Sequence, residues 1–237
     1  MSDRVRSLIH KGRWAIPVQF KSMSLVIWPI GNEDYKLAHP SCDLEEMSIH
    51  ILPNRKDLVS LSTDSGYRIS DDDWIYGHFD TKLEQSQTAI CGFSGGHLAH
   101  VIWAALGAEA GQRLVWDPPL ELNWNHSTVL SGAYTPPKYR GKGAFPFTVT
   151  EGLRYLKALG LTKAYTAFHW KNDASRRALQ KANALFAAHC FRMRLRFPRR
   201  GVRYIPLLAY GYRAGTGGKW YRRQFTEWIE IMPVSIV

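Results

Sequence analysis

The chain has 237 residues, of which 45% are hydrophobic and 22% charged, and it carries a formal net charge of +11. This composition supports one substantial buried core, argues against disorder and favours anionic partners. Residues 1–14 are polar and charged, unlike a signal peptide, and no apolar run is long enough to span a bilayer. Cys42, Cys91 and Cys190 lie far apart and match neither a disulfide framework nor a metal-binding spacing. We therefore expect a cytoplasmic protein.

The N-terminal part of the chain predicts strands and one helix. Apolar and β-branched stretches over residues 18–28 and 47–52 predict strands. Acidic residues over 71–73 are followed by aromatic ones. This order predicts the start of a helix, because carboxylates are stabilised at the positive end of the helix dipole.

A β-hairpin is the clearest prediction before the middle of the chain. Two apolar runs, over residues 88–93 and 98–106, flank the turn sequence Ser94-Gly-Gly. Residues 107–113 then predict a polar link. Pro118 and Pro119 must lie at a turn or a strand edge, because proline cannot donate to a strand ladder.

The most informative stretch is residues 134–145, Tyr-Thr-Pro-Pro-Lys-Tyr-Arg-Gly-Lys-Gly-Ala-Phe, which joins an apolar run to a helical pattern. A strand, a glycine-rich turn and a helix in this order present backbone N–H groups at the positive end of a helix. Arg140 and Lys142 add positive charge, and Gly141 and Gly143 let an anion approach the main chain without a Cβ in the way. We expect a pyrophosphate to bind there.

Two commoner phosphate motifs do not fit this turn. The Walker loop requires Ser or Thr after its lysine, and Gly143 follows Lys142. The dinucleotide fingerprint requires a third glycine where Pro146 stands. The pattern R-x-x-G-x-[GA] remains, with Arg140 and Gly143 in place and Phe145 at the small position.

The residues after the turn predict a regular succession of elements. They are a helix over 147–159 ended by Gly160, a strand over 163–170, a helix opened by Asn172 and ended by Asn183, and a strand over 191–197.

This order of motifs resembles the Gcn5-related N-acetyltransferases (GNAT) over residues 85–213. The resemblance implies an α/β fold with a mixed, mostly antiparallel sheet that is splayed in the middle and flanked by helices. An N-terminal extension over 1–84 and a basic, aromatic tail over 214–237 complete the expected organisation. It further implies that acetyl-CoA or another acyl-CoA donates an acyl group to an amine by direct attack in a ternary complex.

The resemblance also assigns residues to the cofactor. The strand edge that pairs with pantetheine is Ala133, Tyr134 and Thr135, and Asn172 and Ser175 contact the cofactor arm. The pyrophosphate cradle comprises Arg140, Gly141, Lys142, Gly143 and Ala144, and Phe145 beside it is also assigned to the cofactor site.

Three positions depart from the family pattern. Phe145 replaces a small residue and crowds the helix start. Leu179 stands where many members carry the Tyr that protonates the departing thiolate. Asn183 and Ala184 replace a Gly-Phe pair.

Acyl transfer requires a base for the ammonium and a proton donor for the thiolate. We expect the base to be Glu121 or His126, which approach the cofactor-edge strand, and Tyr134 to be the proton donor. His169, Asp117 and His100 are further candidates for the base. Each of these residues also has a non-catalytic interpretation, in which the acids are simply exposed, the histidines are hydrogen-bonded and the tyrosine is packed in a strand. The reaction could also be accelerated by proximity alone, if the site holds a neutral amine in line with the thioester.

The excess positive charge lies towards the C-terminus. Arg192, Arg194 and Arg196 share one face of a strand, and residues 219–228 interleave basic and aromatic side chains. A solvated face, an acidic partner and an anionic membrane surface all fit this pattern. Nucleic acid ranks last, because no zinc, helix-turn-helix or RNA-recognition signature accompanies it.

The sequence leaves several points open. The amine acceptor is a small molecule of unspecified structure, and an acyl-carrier protein could replace acyl-CoA as the donor. The oligomeric state is not predicted. The alternative to an enzyme is an inactive GNAT-like module that binds a CoA derivative or an anionic membrane surface.

Overall fold

The computed structural model describes residues 18–37, 40–69, 73–113, 122–195, 205–213, 219–224 and 227–233. Its contacts divide the chain into two units. One contains residues 26–186, and the other combines residues 1–25 with 187–237. The domain boundaries expected from the sequence, at 84/85 and 213/214, stay predictions.

The unit of residues 26–186 alternates strands and helices. Its strands are the end of β1 (Val18–Trp28), β2 (Met47–Leu52), β3 (Gln87–Ser94), β4 (His97–Ala105), β5 (Ser127–Tyr134), β6 (Lys163–His169) and the first residues of β7 (Leu185–Leu195). Its helices are α1 (Arg55–Asp64), α2 (Asp73–Glu84), α3 (Gly107–Arg113), α4 (Ala144–Ala158) and α5 (Asp173–Lys181). A 3-10 turn (Pro137–Tyr139) lies between β5 and α4.

The strands of this unit form a mixed sheet in the order β1-β6-β5-β4-β3-β2. The pairs β2–β3, β3–β4 and β4–β5 are antiparallel, and β5–β6 is parallel. The α/β class with a mostly antiparallel sheet flanked by helices is therefore confirmed. The predicted hairpin is confirmed as β3–β4, where Gly95 and Gly96 have φ values of 53° and 76°, as a two-residue turn of matching twist requires.

Each face of the sheet buries its own apolar cluster, because successive strand residues point to opposite sides. On one face, Ile102 and Ala104 of β4 belong to the same buried cluster as Val149, Leu153 and Leu156 of α4. On the other face, Val101 and Trp103 of β4 belong to a cluster with residues of α1 and α2: Leu58, Leu61, Phe79 and Leu83. The two clusters fix β4 and β5 between two layers of helices.

The other unit contains the remaining strands. The end of β7 precedes β8 (Ile205–Arg213), β9 (Lys219–Gln224) and β10 (Glu227–Pro233), which pair in sequence order as an antiparallel meander. The strand predicted over 191–197 corresponds to part of β7. The interleaved residues 225 and 226, and Arg196, lie outside the described residues.

Several element boundaries follow the sequence closely. Gly160 and Asn183 have φ values of 84° and 55°, so both residues end their helices in the left-handed conformation that was expected. Residues 18–28 form one strand. Residues 107–113, predicted as a link, form the short helix α3, and α1 is a helix that the sequence pattern did not predict.

None of the helices in the described residues has the length and apolar character needed to cross a membrane.

Candidate functional site

The strands β5 and β6 separate in the middle of the sheet. Their parallel register joins Ser127–Val129 to Lys163–Tyr165, but β5 continues to Tyr134 and β6 to His169. The opposite edge of β5 remains paired with β4 as far as Tyr134. The separation therefore leaves the last residues of β5 with an edge of backbone groups that can pair with an extended ligand.

A β-bulge lies within this open edge. Trp103 of β4 pairs with Ser131, and Val101 pairs with Tyr134, so Gly132 and Ala133 together oppose Ile102. Gly132 has a φ of 60°, which suits the extra residue of a bulge. As a result Ser131 and Tyr134 lie on the same face of the sheet, and Gly132 and Ala133 are exposed between them.

The turn from β5 to α4 is built by short-range hydrogen bonds. Tyr139 N–H donates to the Pro136 carbonyl (2.9 Å), and Arg140 N–H donates to the Pro137 carbonyl (3.2 Å). Arg140 Nε also donates to the Thr135 carbonyl at 2.9 Å. This bond ties the middle of the turn back to the end of β5.

The two sides of the turn have different partners. The Lys142 carbonyl accepts hydrogen bonds from Asp43 N–H (3.0 Å) and Cys42 Sγ (3.4 Å). By contrast, among the turn and cap hydrogen bonds of the described residues, none is donated by a backbone amide of residues 141–145. Gly143 is the N-cap of α4, with a φ of 85°. The carbonyl side of the turn is thus held by Cys42 and Asp43, and the amides on its other side have no acceptor among these bonds.

The solvent exposure of the cradle changes along the turn. Arg140, Gly141 and Lys142 are exposed, Gly143 is half-buried and Ala144 is buried. Basic side chains and main-chain amides are therefore accessible from the start of the cradle. We infer that the exposed part of the turn is where an anion would enter.

Phe145 packs partly buried beside the cradle. It contacts the apolar cluster under α4, and its ring meets the ring of His100 edge-on, with centroids 5.1 Å apart. The crowding expected from Phe145 is thus directed into the core.

The residues assigned to the cofactor arm lie at the end of β6. Asn172 is the N-cap of α5, and its Oδ1 accepts a hydrogen bond from Ser175 N–H at 3.0 Å. Asn172 N–H donates to the His169 carbonyl at 2.7 Å. The cap fixes the side-chain amide of Asn172 at the start of α5, and the Asn172 carbonyl accepts a hydrogen bond from Arg176 N–H at 3.0 Å.

Leu179 is buried in the cluster under α4 and α5. It supplies no hydroxyl group at the position where the resembled family often has a tyrosine.

The predicted catalytic residues are only partly brought together. Tyr134 is half-buried at the end of the bulge, next to the cradle. His126 is exposed and lies just before β5, at the end where β5 and β6 pair. Six residues of strand place it about 20 Å from the bulge. Glu121 and Asp117 lie outside the described residues.

His100 has an importance that its sequence position alone did not reveal. It lies in β4, it is fully buried, and its Nδ1 is 2.8 Å from Thr135 Oγ1. Burial lowers the pKa of His100 to about 3, and a hydrogen bond with the Tyr134 backbone opposes this only in part. The available signal was a polar residue at a strand position that shares its face with Ile102 and Ala104.

We expect this buried ring to make the protein sensitive to mild acid. Folded His100 takes up a proton only near pH 3, whereas the unfolded chain does so near pH 6.5. Stability is therefore fully present above pH 6.5 and declines below it, by up to about 1.4 kcal/mol per pH unit for one proton. The free energy of unfolding of the His100→Phe variant, measured in denaturant from pH 7 to 5, should fall less steeply.

Substitution of the exposed His126 by Gln is the control for this measurement. His126 is exposed, so this variant shows whether a change in slope is specific to the buried ring of His100. Equal slopes for His100→Phe and the unaltered protein would contradict the assignment.

No family model matches the sequence, and no curated protein matches it. Solved structures do resemble its fold. A GNAT-family acetyltransferase of Colwellia psychrerythraea is 14% identical with a TM-score of 0.42, over 76% of this chain and 57% of that one. A GNAT-family protein of Novosphingobium aromaticivorans is 12% identical with a TM-score of 0.44, over 81% of this chain and 77% of that one.

A third similar structure is a GCN5-related glucosamine N-acetyltransferase region of a fungal multi-domain GH3 β-N-acetylglucosaminidase. It is 15% identical with a TM-score of 0.44, over 74% of this chain and 21% of that one. The chain spans little more than half the length of the Colwellia protein. At these identities the likeness is one of fold alone. The mixed sheet, the separation of β5 from β6 and the glycine-rich turn into α4 match the fold that was expected from the sequence.

Proposed function

We propose that the protein is an N-acyltransferase of the Gcn5-related type, which moves an acetyl or longer acyl group from acyl-CoA to an amine by direct attack in a ternary complex. The observation that carries the proposal is the amide side of residues 141–145. These groups have no acceptor among the turn and cap bonds of the described residues, and they lie where β5 and β6 separate. Backbone amides at a helix N-terminus are suited to a diphosphate.

The proposed binding mode uses the cradle and the strand edge together. The diphosphate of CoA is held by the amides of 141–145 with Arg140 and Lys142. The pantetheine arm pairs with the edge of β5 at Ala133–Thr135 and is contacted by Asn172 and Ser175 from the other side. An amide of the bulge polarises the thioester carbonyl.

In the proposed reaction the lone pair of a neutral amine attacks the thioester carbon, the C–S bond breaks, and the acyl group remains on nitrogen. The thiolate takes a proton, for which Tyr134 is the proposed donor, and the amine loses one. Glu121 and His126 remain the proposed bases. The distance of His126 from the bulge favours loss of this proton to water, with proximity as the main source of acceleration.

A titration followed by thermal unfolding tests the binding step. Acetyl-CoA at millimolar concentration should raise the melting temperature, because a ligand that binds only the native state stabilises it. Pantetheine, which lacks the diphosphate, should have a much smaller effect. If acetyl-CoA and pantetheine are equally ineffective, the cradle assignment is wrong.

The second candidate is a module that binds CoA without turnover, and the burial of Leu179 in the core favours it. Release of free thiol from acetyl-CoA in the presence of a panel of amines distinguishes the two. Binding without amine-dependent thiol release would support the module.

The basic C-terminal region remains proposed for an acidic partner or an anionic membrane surface. The proposed location is the cytoplasm, which the separated cysteines support.

A further inference from the structure

His100 contacts residues that flank the cradle on both sides. Its Nδ1 lies 2.8 Å from Thr135 Oγ1. Thr135 directly follows β5, the strand that enters the turn. The ring also meets the ring of Phe145 edge-on, in the first turn of α4. The His100 side chain in β4 therefore contacts both the segment before the cradle, at Thr135, and the segment after it, at Phe145.

Thr135 extends this connection into the turn itself. Its hydroxyl meets His100, and its carbonyl accepts the 2.9 Å hydrogen bond from Arg140 Nε. The contacts run from Phe145 through His100 and Thr135 to Arg140, and so enclose residues 141–144. A change in the position of Thr135 relative to Phe145 would alter the span of the turn and the direction of its amides.

A role in core packing alone does not account for His100. The side chain is fully buried, and its Nε2 has no hydrogen-bond partner among the described residues. A buried polar atom without a partner costs about 1–3 kcal/mol. Phenylalanine at this position would fill similar space without that cost, but it could not hold Thr135.

We propose that His100 is a positioning residue for the acyl-CoA cradle. By fixing Thr135 relative to Phe145, it sets the direction in which the backbone amides of residues 141–145 point. This inference rests on the proposed function. The imidazole does not touch the reacting groups in this role. Since burial keeps the ring neutral at pH 7, its effect on affinity is one of pre-organisation and not of charge.

Four variants and the unaltered protein test the inference by calorimetric titration with CoA. His100→Phe and Thr135→Val should each weaken binding by about tenfold, as expected for one hydrogen bond that organises the site. Because both remove the same contact, the double variant should be no weaker than either single one. His100→Asn retains a polar nitrogen near Nδ1 and should bind within about threefold of the unaltered protein.

Thr150→Val is the matched control. Thr150 Oγ1 is also buried without a partner among the described residues, on α4 and outside the contacts described above, so this variant should keep full affinity. Kinetics add a second readout: His100→Phe should raise KM for acyl-CoA and leave kcat at saturation nearly unchanged. Melting temperatures show which variants are folded. If His100→Phe does not fold, Thr135→Val and His100→Asn decide the question.

The outcomes distinguish failure of the positioning role of His100 from failure of the proposed function. Unchanged affinity in His100→Phe or Thr135→Val, additive losses in the double variant, or an equal loss in Thr150→Val would overturn the positioning role alone. Failure of the unaltered protein to bind CoA would overturn the proposed function, and the positioning role with it.

Discussion

Replacing Gly143 by alanine is expected to weaken acetyl-CoA binding by at least about tenfold, since strain of about 1–2 kcal/mol would have to be relieved by moving the turn. Gly143 has a φ of 85°, and a Cβ there would overlap the Ser41 carbonyl oxygen and lie 3.0 Å from Cα of Cys42. Both neighbours are backbone atoms and cannot rotate away. Because Gly143 is the N-cap of α4, the shift would displace the amides that we propose to hold the diphosphate.

Two other glycines provide controls for this variant. Gly160 has a φ of 84°, a Cβ added to it would meet no atom within 4 Å, and it lies at the opposite end of α4. Gly160→Ala should cost stability but leave affinity for acetyl-CoA unchanged. Gly141 has the same kind of φ and open space, so Gly141→Ala should give an intermediate loss. Normal binding by a folded Gly143→Ala protein, measured by calorimetry, would refute the cradle assignment.

Replacing Arg140 by alanine is expected to weaken CoA binding by at least about tenfold at low salt. The variant loses the proposed charge-assisted contact with the diphosphate and the hydrogen bond from Arg140 Nε to the Thr135 carbonyl that closes the turn. The guanidinium is exposed, and its Nε holds the Thr135 carbonyl. Exposed charges are screened by salt, so the difference between variant and unaltered protein should shrink as salt rises towards about 1 M. Titrations at several salt concentrations measure this.

Arg113→Ala is the matched control for charge. Arg113 also donates to a backbone carbonyl, that of Glu84 at 3.0 Å, and it pairs with Glu109 at 2.7 Å. The variant removes the same positive charge at the end of α3 and should leave the affinity for CoA unaltered. An equal loss in Arg113→Ala would mean that net charge, and not the position of Arg140, governs binding.

Local conformation was predictable wherever a residue and its immediate neighbours limit the backbone. Gly95-Gly96, Gly160 and Asn183 adopt left-handed conformations. Few residues other than glycine and asparagine tolerate these conformations, so their positions in the sequence indicated the hairpin and two helix ends. The glycine-rich turn before α4 belongs to the same class. The helix α1 was missed although Asn54 accepts a hydrogen bond from Asp57 N–H at its start, because Leu58 and Leu61 are the buried residues of that helix and make a weak periodic signal.

Residue order along the chain was therefore sufficient for the strand, the turn and the helix that build the cradle, since each depends on backbone preferences within a few positions. Tertiary packing alone decided that β5 leaves β6 after Val129, that Cys42 and Asp43 hold the Lys142 carbonyl, and that His100 reaches Thr135. These contacts join segments remote in sequence. Their geometry follows from how both faces of the sheet bury their apolar clusters, and no local pattern encodes it.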